Sequence, residues 1–197
     1  MREVVFFFDV VCPYAYLGST QIEAVAARAG ARLEWKPMLL GGVFQAIGRK
    51  DVPTPEAKRA AMAEDFRRQV RHLGVPLAWP AEHPRKTVDA MRLCVAAGER
   101  VADVAKALYR AYWVDGLDVT DRAVLARVAA AHGVDLGAID TPAIKDQLRK
   151  NTDEAVAAGV FGAPSMLVTN EHGRFLFFGQ DRLDFVEKAL GGWKVPA

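Results

Sequence analysis

The chain has 197 residues, enough for one substantial core or for one domain that carries an inserted subdomain. Apolar residues make up 51% of it, and 26 basic residues stand against 24 acidic ones, so composition argues against nucleic acid or a membrane as the partner. Its two cysteines, Cys12 and Cys94, form no CxxC pair and no zinc-type cluster with histidine, which excludes a disulfide scaffold and favours a cytoplasmic protein.

The N-terminal segment predicts a strand, a helix and a second strand. Residues 4–8 (VVFFF) are typical of a buried strand that ends at Asp9. Residues 19–30 have helical spacing and stop at a glycine, and residues 32–38 alternate polar and apolar side chains. A strand–helix–strand order favours a parallel pair with a right-handed crossover.

The middle of the chain is predicted to be helical. Apolar residues recur at helical spacing in five segments, and the last of these opens with a capping threonine followed by proline at the first helical position. The segments are residues 55–73, 87–98, 101–113, 121–132 and 141–158.

The C-terminal segment returns to strands. Residues 166–168 and 174–178 are short apolar runs joined by a hairpin turn at 170–173, and residues 181–190 predict a last helix. This order predicts an α/β fold, a thioredoxin-like domain interrupted by an all-helical insertion. We expect residues 1–45 and 150–197 to form the first and residues 46–149 the second.

Cys12 is the first candidate for chemistry, in the segment 9–18 (DVVCPYAYLG). It follows a predicted buried strand and precedes a helix, where free N–H groups and the helix dipole favour a thiolate. We therefore expect its pKa to lie below the ordinary value of about 8.5. The alternative is a buried structural cysteine, which is the interpretation favoured for Cys94 inside an apolar helical face.

A second candidate segment is residues 159–166 (GVFGAPSM). A cis bond before Pro164 would turn the backbone of Ala163 outward, where its N–H and C=O groups could pair with an extended ligand. The local sequence alone favours a trans proline that begins an edge strand.

A third candidate segment is residues 178–182 (FGQDR). Asp181 is placed to cap the last helix, where free amides could bind a carboxylate while the Asp side chain binds an ammonium group. The head group of an α-amino acid carries both charges. The alternative is an ordinary cap beside a surface arginine.

Together these segments resemble the DsbA-like branch that contains kappa-class glutathione transferases and 2-hydroxychromene-2-carboxylate isomerases. The resemblance runs from Phe6 to Leu190, and Gln180 makes it more similar to the isomerases. It rests on residues 12–17 (CPYAYL), the predicted turn 39–42 (LLGG), Lys58, and residues 73–76, 115–118, 159–164 and 178–182.

The resemblance implies a homodimer that binds reduced glutathione along the segment before a cis proline. Together with the segment 159–166, it leads us to predict that the bond between Ala163 and Pro164 is cis. It places Cys12 at the position where the family has its active-site serine. It also implies a set of glutathione-binding residues: the backbone of Ala163 before Pro164 for the cysteinyl unit, Gln180 and Asp181 for the γ-glutamyl head, and Lys58 for the glycyl carboxylate.

Two departures from the family pattern bear on the chemistry. Cys12 replaces serine, and Arg49 stands where relatives tend to have asparagine. Serine donates a hydrogen bond to the glutathione thiolate, and a thiol is a weaker donor. A Cys12 thiolate would instead repel the glutathione sulfur or form a mixed disulfide with it. Ala15 occupies the place of a second cysteine, so no disulfide can form within this motif.

Three functional hypotheses follow. The first is a glutathione-dependent isomerase or transferase, in which the glutathione thiolate adds to a small aromatic-derived electrophile and leaves again. The second is a monothiol oxidoreductase with Cys12 as nucleophile, and the third is a non-catalytic peptide-binding protein. The helical insertion would line the electrophile pocket, with aromatic candidates that could equally be core: Phe44, Trp79, Tyr112 and Trp113. Tyr14 and Arg49 are further possible residues of the glutathione site.

Overall fold

A computed structural model describes residues 2–49 and 55–194. The chain opens with a β-α-β unit, as predicted. Its elements are β1 (Glu3–Phe8), α1 (Pro13–Ser19), α2 (Ile22–Arg28) and β2 (Arg32–Pro37).

The four strands form one sheet in the order β2-β1-β3-β4, with β3 at Ser165–Asn170 and β4 at Gly173–Phe178. β1 runs parallel to β2, with Phe6 opposite Trp35, and antiparallel to β3, where Met166 faces Phe6 from the other side. β3 and β4 form the predicted antiparallel hairpin. The parallel pair and the hairpin confirm the expected α/β, thioredoxin-like architecture.

Six helices lie between β2 and β3, and one more follows β4, within the described ranges. α4 ends at Gly74 in the left-handed conformation, while side chains of Asp121 and Thr141 cap α7 and α8. The helices are α3 (Leu40–Ala46), α4 (Glu56–Leu73), α5 (Val88–Ala96), α6 (Val101–Trp113), α7 (Arg122–Ala131), α8 (Pro142–Ala157) and α9 (Leu183–Leu190).

An aromatic core joins the helical block to the sheet. Tyr109 on α6 packs 6.1 Å from Phe8 on β1, and Trp113 stacks 6.4 Å from Tyr16 on α1, measured between ring centroids. The indole N–H of Trp113 also donates to the carbonyl of Val10 at 2.8 Å. α6 therefore fixes the chain between β1 and α1, which is the segment that carries the first candidate residue.

Two local expectations differ from the structure. Residues 39–42, expected as a turn, contain the start of α3, because the backbone N–H of Leu40 binds the Asp9 carboxylate at 2.9 Å and fixes the helix entry. The expected domain boundary between residues 149 and 150 falls inside α8, and the division into two domains stays a prediction.

Among the described helices, none is both long and apolar enough to cross a membrane.

Candidate functional site

The turn between β1 and α1 is held by a buried carboxylate. Asp9 is 2% exposed, and its side chain accepts hydrogen bonds from the backbone N–H groups of Val11 (3.1 Å) and Leu40 (2.9 Å) and from the Thr87 hydroxyl (2.6 Å). Burial raises the pKa of Asp9, while these donors lower it. The Asp9 carboxylate thus connects the end of β1 with the starts of α3 and α5. The backbone carbonyl of Asp9 also accepts a hydrogen bond from the N–H of Cys12 at 3.0 Å.

Cys12 is the residue just before α1, and its thiol is buried. The thiol is 7% exposed and donates to the carbonyl of Ala163 at 3.0 Å. Burial raises the pKa of Cys12 to about 12, and the charge of Asp9 adds to this effect, whereas the N–H groups of Tyr14 and Ala15 lower it. The expected depressed pKa is therefore wrong, because desolvation of the sulfur outweighs the donors at the helix start.

Ala163 and Pro164 lie directly before β3 and face Cys12. The peptide bond between them is cis, as predicted. The Ala163 carbonyl is not free, however, because it accepts a hydrogen bond from the Cys12 thiol. Pro164 lies against α1, 3.4 Å from the place that a Cβ on Gly18 would occupy, and its carbonyl accepts the N–H of Gly179 at 3.0 Å.

Gln180 is buried at the junction of three segments. Its side-chain oxygen accepts from the Gln21 amide at 3.2 Å, and its own amide donates to Gln69 on α4. Gln180 is 8% exposed, so these contacts satisfy an amide that is largely removed from water. They bring the β4–α9 connection against α2 and α4.

Asp181 does not cap a helix. It lies inside a short 3-10 turn, Gln180–Arg182, and α9 begins only at Leu183 without a side-chain cap. Its carboxylate instead lies 3.0 Å from the guanidinium of Arg182, and 55% of its side chain is exposed. The expected capping role is wrong, but the carboxylate is accessible to a ligand.

A polar cavity of about 440 Å³ lies beside Gln180 and Asp181, bounded on one side by the C-terminal half of α4. Its lining combines amides, carboxylates and basic side chains, which suits a zwitterionic group. The lining residues are Gln21, Arg68, Gln69, His72, Leu73, Gln180, Asp181, Leu183 and Asp184.

An apolar cavity of about 490 Å³ lies next to α1 and the N-terminal half of α4. Tyr14 and Trp79 each contact Phe66 edge to face, with ring centroids 5.5 and 5.7 Å apart. Burial raises the pKa of Tyr14, as do the nearby carboxylates of Asp65 and Asp181. The full lining is Pro13, Tyr14, Arg59, Met62, Ala63, Phe66, Arg67, Leu77 and Trp79.

The other aromatic candidates do not line this cavity. Tyr112 and Trp113 are 1% and 0% exposed and belong to the core. Phe44 lies on α3, where the guanidinium carbon of Arg49 lies 4.0 Å from its ring centroid. Cys94 is fully buried and burial raises its pKa, as expected for a structural cysteine.

Lys58 and Arg49 line neither the polar nor the apolar cavity. Lys58 is exposed in the first turn of α4, and Arg49 is exposed just after α3. Their roles toward a ligand stay predictions.

Sequence reasoning missed four residues that shape this site: Asp9, Gln21, Phe66 and Gln69. Asp9 could have been predicted, because a carboxylate that directly follows a buried strand needs hydrogen-bond donors. Phe66 belongs to the apolar stripe predicted for residues 55–73, but that stripe does not show what it packs against. Gln21 and Gln69 are polar residues without a local signal. Only the packing of α4 against α1 and the β4–α9 connection brings these three residues to the site.

These features define a class: a thioredoxin-like protein with a buried single thiol against a cis proline and a helical block over the site. The family model described as the DSBA-like thioredoxin domain matches residues 3–191. The chain belongs to this family.

Two groups of relatives stand out within it. The chain is 29% identical over 199 residues to the 2-hydroxychromene-2-carboxylate isomerase of Sphingobium xenophagum, covering 96% of this chain and 98% of the relative. It is 30% identical over 213 residues to Glutathione s-transferase kappa 2 of Caenorhabditis elegans, covering 97% and 95%. A solved 2-hydroxychromene-2-carboxylate isomerase shares the fold, with a TM-score of 0.83 at 24% identity over 96% of this chain and 95% of that one.

Both groups of relatives are enzymes, and the similarity extends over nearly the whole of each chain. The chain is accordingly an enzyme. This finding argues against the third hypothesis, a non-catalytic peptide-binding protein.

Proposed function

We propose that the chain is a glutathione-dependent isomerase of the 2-hydroxychromene-2-carboxylate type. The observation that carries the proposal is the state of Cys12, a buried thiol with a raised pKa that donates a hydrogen bond. A thiol held in its neutral form acts as a donor, as the family's serine does, and not as a nucleophile.

Reduced glutathione is the proposed cosubstrate, and the polar cavity supports its placement. Gln180 and Asp181 would hold the γ-glutamyl head, and the backbone of Ala163, before Pro164, would pair with the cysteinyl unit. The Cys12 thiol, which now donates to the Ala163 carbonyl at 3.0 Å, would donate to the glutathione sulfur instead. Lys58 would hold the glycyl carboxylate.

The apolar cavity supports a small aromatic-derived acid as the second substrate. Tyr14, Phe66 and Trp79 offer ring faces and edges to a planar molecule. Arg59 and Arg67 also line the cavity, so a carboxylate would meet cationic side chains there. In the proposed reaction the glutathione thiolate adds to the unsaturated acid, a bond rotates or a ring opens, and the thiolate leaves unchanged.

Replacement of Cys12 tests the proposal directly. Wild type, Cys12→Ser and Cys12→Ala would be assayed for isomerisation of 2-hydroxychromene-2-carboxylate with glutathione, and for reduction of a glutathione mixed disulfide. We expect Cys12→Ser to keep or raise isomerisation, because serine is the stronger donor. Cys12→Ala should lower the rate of isomerisation about 10²-fold, which is the typical effect of removing one hydrogen-bond donor to an anion in an active site.

The monothiol oxidoreductase is the second hypothesis, and the same experiment decides between the two. Reduction of the mixed disulfide by wild type alone, with isomerisation in none of the three proteins, would establish the oxidoreductase. The raised pKa of Cys12 and the position of Ala15 favour the isomerase.

Calorimetry with glutathione tests the binding site separately from catalysis. Asp181→Ala should weaken binding by about 1.5–3 kcal/mol, the range for a hydrogen bond to a charged group. Asp153→Ala on α8 is the matched control, since its carboxylate does not line the polar cavity. Equal affinities of the two variants would contradict the assignment of Asp181.

We also propose that the enzyme is a homodimer, which its family resemblance supports. Analytical ultracentrifugation of the full chain, with and without glutathione, would decide this, and a sedimentation coefficient of the monomer under both conditions would refute it. A cytoplasmic location stays a prediction of the sequence.

A further inference from the structure

α4 borders both cavities of the site, yet little of this helix is buried. Its residues between 59 and 67 line the apolar cavity, and its residues between 68 and 73 line the polar cavity. Phe66, which is 4% exposed, is the one buried side chain among its 18 residues. Because helices in proteins are stabilised mainly by packing of an apolar face, the position of α4 depends strongly on its few other contacts.

Three glutamine side chains form a hydrogen-bonded relay that reaches α4 from outside it. The amide of Gln21 donates to the side-chain oxygen of Gln180 at 3.2 Å, and the amide of Gln180 donates to Gln69 on α4. The amide of Gln69 then donates to the Asp65 carboxylate at 2.5 Å. A carboxylate is an acceptor only, so the relay ends there and each amide before it has a defined orientation.

The relay meets α4 where the two cavities adjoin. Gln69 lies three residues after Phe66, and residues at this spacing share one face of a helix. Phe66 contacts the rings of Tyr14 and Trp79 edge to face, and all three rings line the apolar cavity. Gln69 lines the polar cavity and not the apolar one. A shift of α4 at Gln69 would therefore move a wall that Gln69 itself does not form.

We propose that Gln69 is a positioning residue, which ties α4 to Gln180 and thereby holds Phe66 in the wall of the apolar cavity. The aromatic acid then binds against a fixed Phe66 ring without touching Gln69. Since Gln180 borders the polar cavity, the same relay keeps the two ligand sites at a fixed distance from each other. The inference rests on the proposed function only for the identity of the aromatic ligand.

Hydrogen exchange of the full chain without ligands tests the tie between α4 and Gln180. Gln69→Met removes the amide and keeps the length of the side chain, and we expect the α4 amides to exchange roughly three- to tenfold faster, as for the loss of one hydrogen bond. Gln180→Met should have the same effect from outside the helix. The double variant should exchange no faster than either single variant, because both substitutions break one contact.

The matched control is Gln147→Met on α8. Gln147 also donates to a side chain four positions away, Asn151 at 2.8 Å, and it lines neither the polar nor the apolar cavity. We expect this variant to leave the exchange of the α4 amides at the wild-type rate.

Binding of chromone-2-carboxylate, an unreactive planar aromatic acid, tests the consequence for the apolar cavity. Quenching of tryptophan fluorescence should show binding several-fold weaker in Gln69→Met than in wild type, and unchanged in Gln147→Met. Unchanged α4 exchange in Gln69→Met, additive effects in the double variant, or equal affinity of Gln69→Met and wild type for the acid would overturn the proposal. Absence of isomerisation in wild type would refute the proposed function alone, and the exchange rates would still decide the role of Gln69.

Discussion

Alkylation of Cys12 by iodoacetamide should be far slower in the folded protein than in the unfolded chain. The thiolate is the species that reacts, and burial raises the pKa of Cys12 from 9.0 to about 12. The hydrogen bond to Ala163 acts in the same direction, because it satisfies the protonated form. The perturbation in this experiment is pH, with no change to the sequence.

The expected magnitude follows from these two pKa values. Near pH 7 the unfolded thiol is ionised in about one molecule per hundred, and the folded thiol in about one per hundred thousand. The folded protein should therefore react about 1,000-fold more slowly. In free-energy terms the burial disfavours the thiolate by about 4 kcal/mol.

Mass spectrometry of the Cys12 peptide gives the rate at each pH and separates it from Cys94, which is also buried. The alkylation rate should rise tenfold for each pH unit between about pH 7 and about pH 10, without reaching a plateau. A plateau beginning below about pH 8, or a folded rate equal to that of the unfolded chain, would refute the argument. Cys12 would then be a thiolate, and the oxidoreductase would be the better hypothesis.

Two further substitutions test the framework of the site. Asp9→Ala should lower the free energy of unfolding in urea by about 2–4 kcal/mol, because Leu40 N–H and the Thr87 hydroxyl lose a buried acceptor; a loss under about 1 kcal/mol would contradict that role. Gly179→Ala should cost about 1–2 kcal/mol and weaken glutathione binding, since Gly179 has φ +99° and a Cβ there would meet the Asp181 carboxylate. Unchanged glutathione affinity in a folded Gly179→Ala protein would separate Asp181 from the ligand.

Local pattern was sufficient for most of the fold. The helix predicted over residues 101–113 has the same bounds in the structure, because its apolar stripe faces the sheet and its end is set by tight packing of Trp113. The hairpin after Asn170 follows from its turn residues in the same way, since the Asn170 side chain accepts the N–H of His172 at 2.8 Å.

The site was predictable only where a residue type determines its geometry. The cis bond before Pro164 was predicted from the motif around it together with the family resemblance, and it is present. The pKa of Cys12 was not, because the sequence shows the favourable helix start but not how much surface covers the sulfur. Likewise, Gln180 and Gln69 are 111 positions apart in the sequence, and no local pattern predicts a contact between residues so widely separated.

The pH dependence of stability offers a last test of the buried thiol. Since the folded pKa of Cys12 is raised, the folded state retains a proton that the unfolded chain releases above about pH 9. The stabilisation is complete below pH 9.0 and is lost as pH rises toward about 12. Between about pH 7 and about pH 10 the loss due to Cys12 should be about 1.4 kcal/mol.

Burial also raises the pKa values of Cys94 and Tyr109, so the wild-type protein should lose more than this amount in alkali. Cys12→Ser isolates the contribution of Cys12, because serine does not titrate in this range while Cys94 and Tyr109 remain. Urea unfolding of both proteins at the two pH values should show that Cys12→Ser loses about 1.4 kcal/mol less than wild type. Equal losses would mean that the Cys12 thiol has the same pKa in both states, and the hydrogen-bond donor assigned to the isomerase would then lack its physical basis.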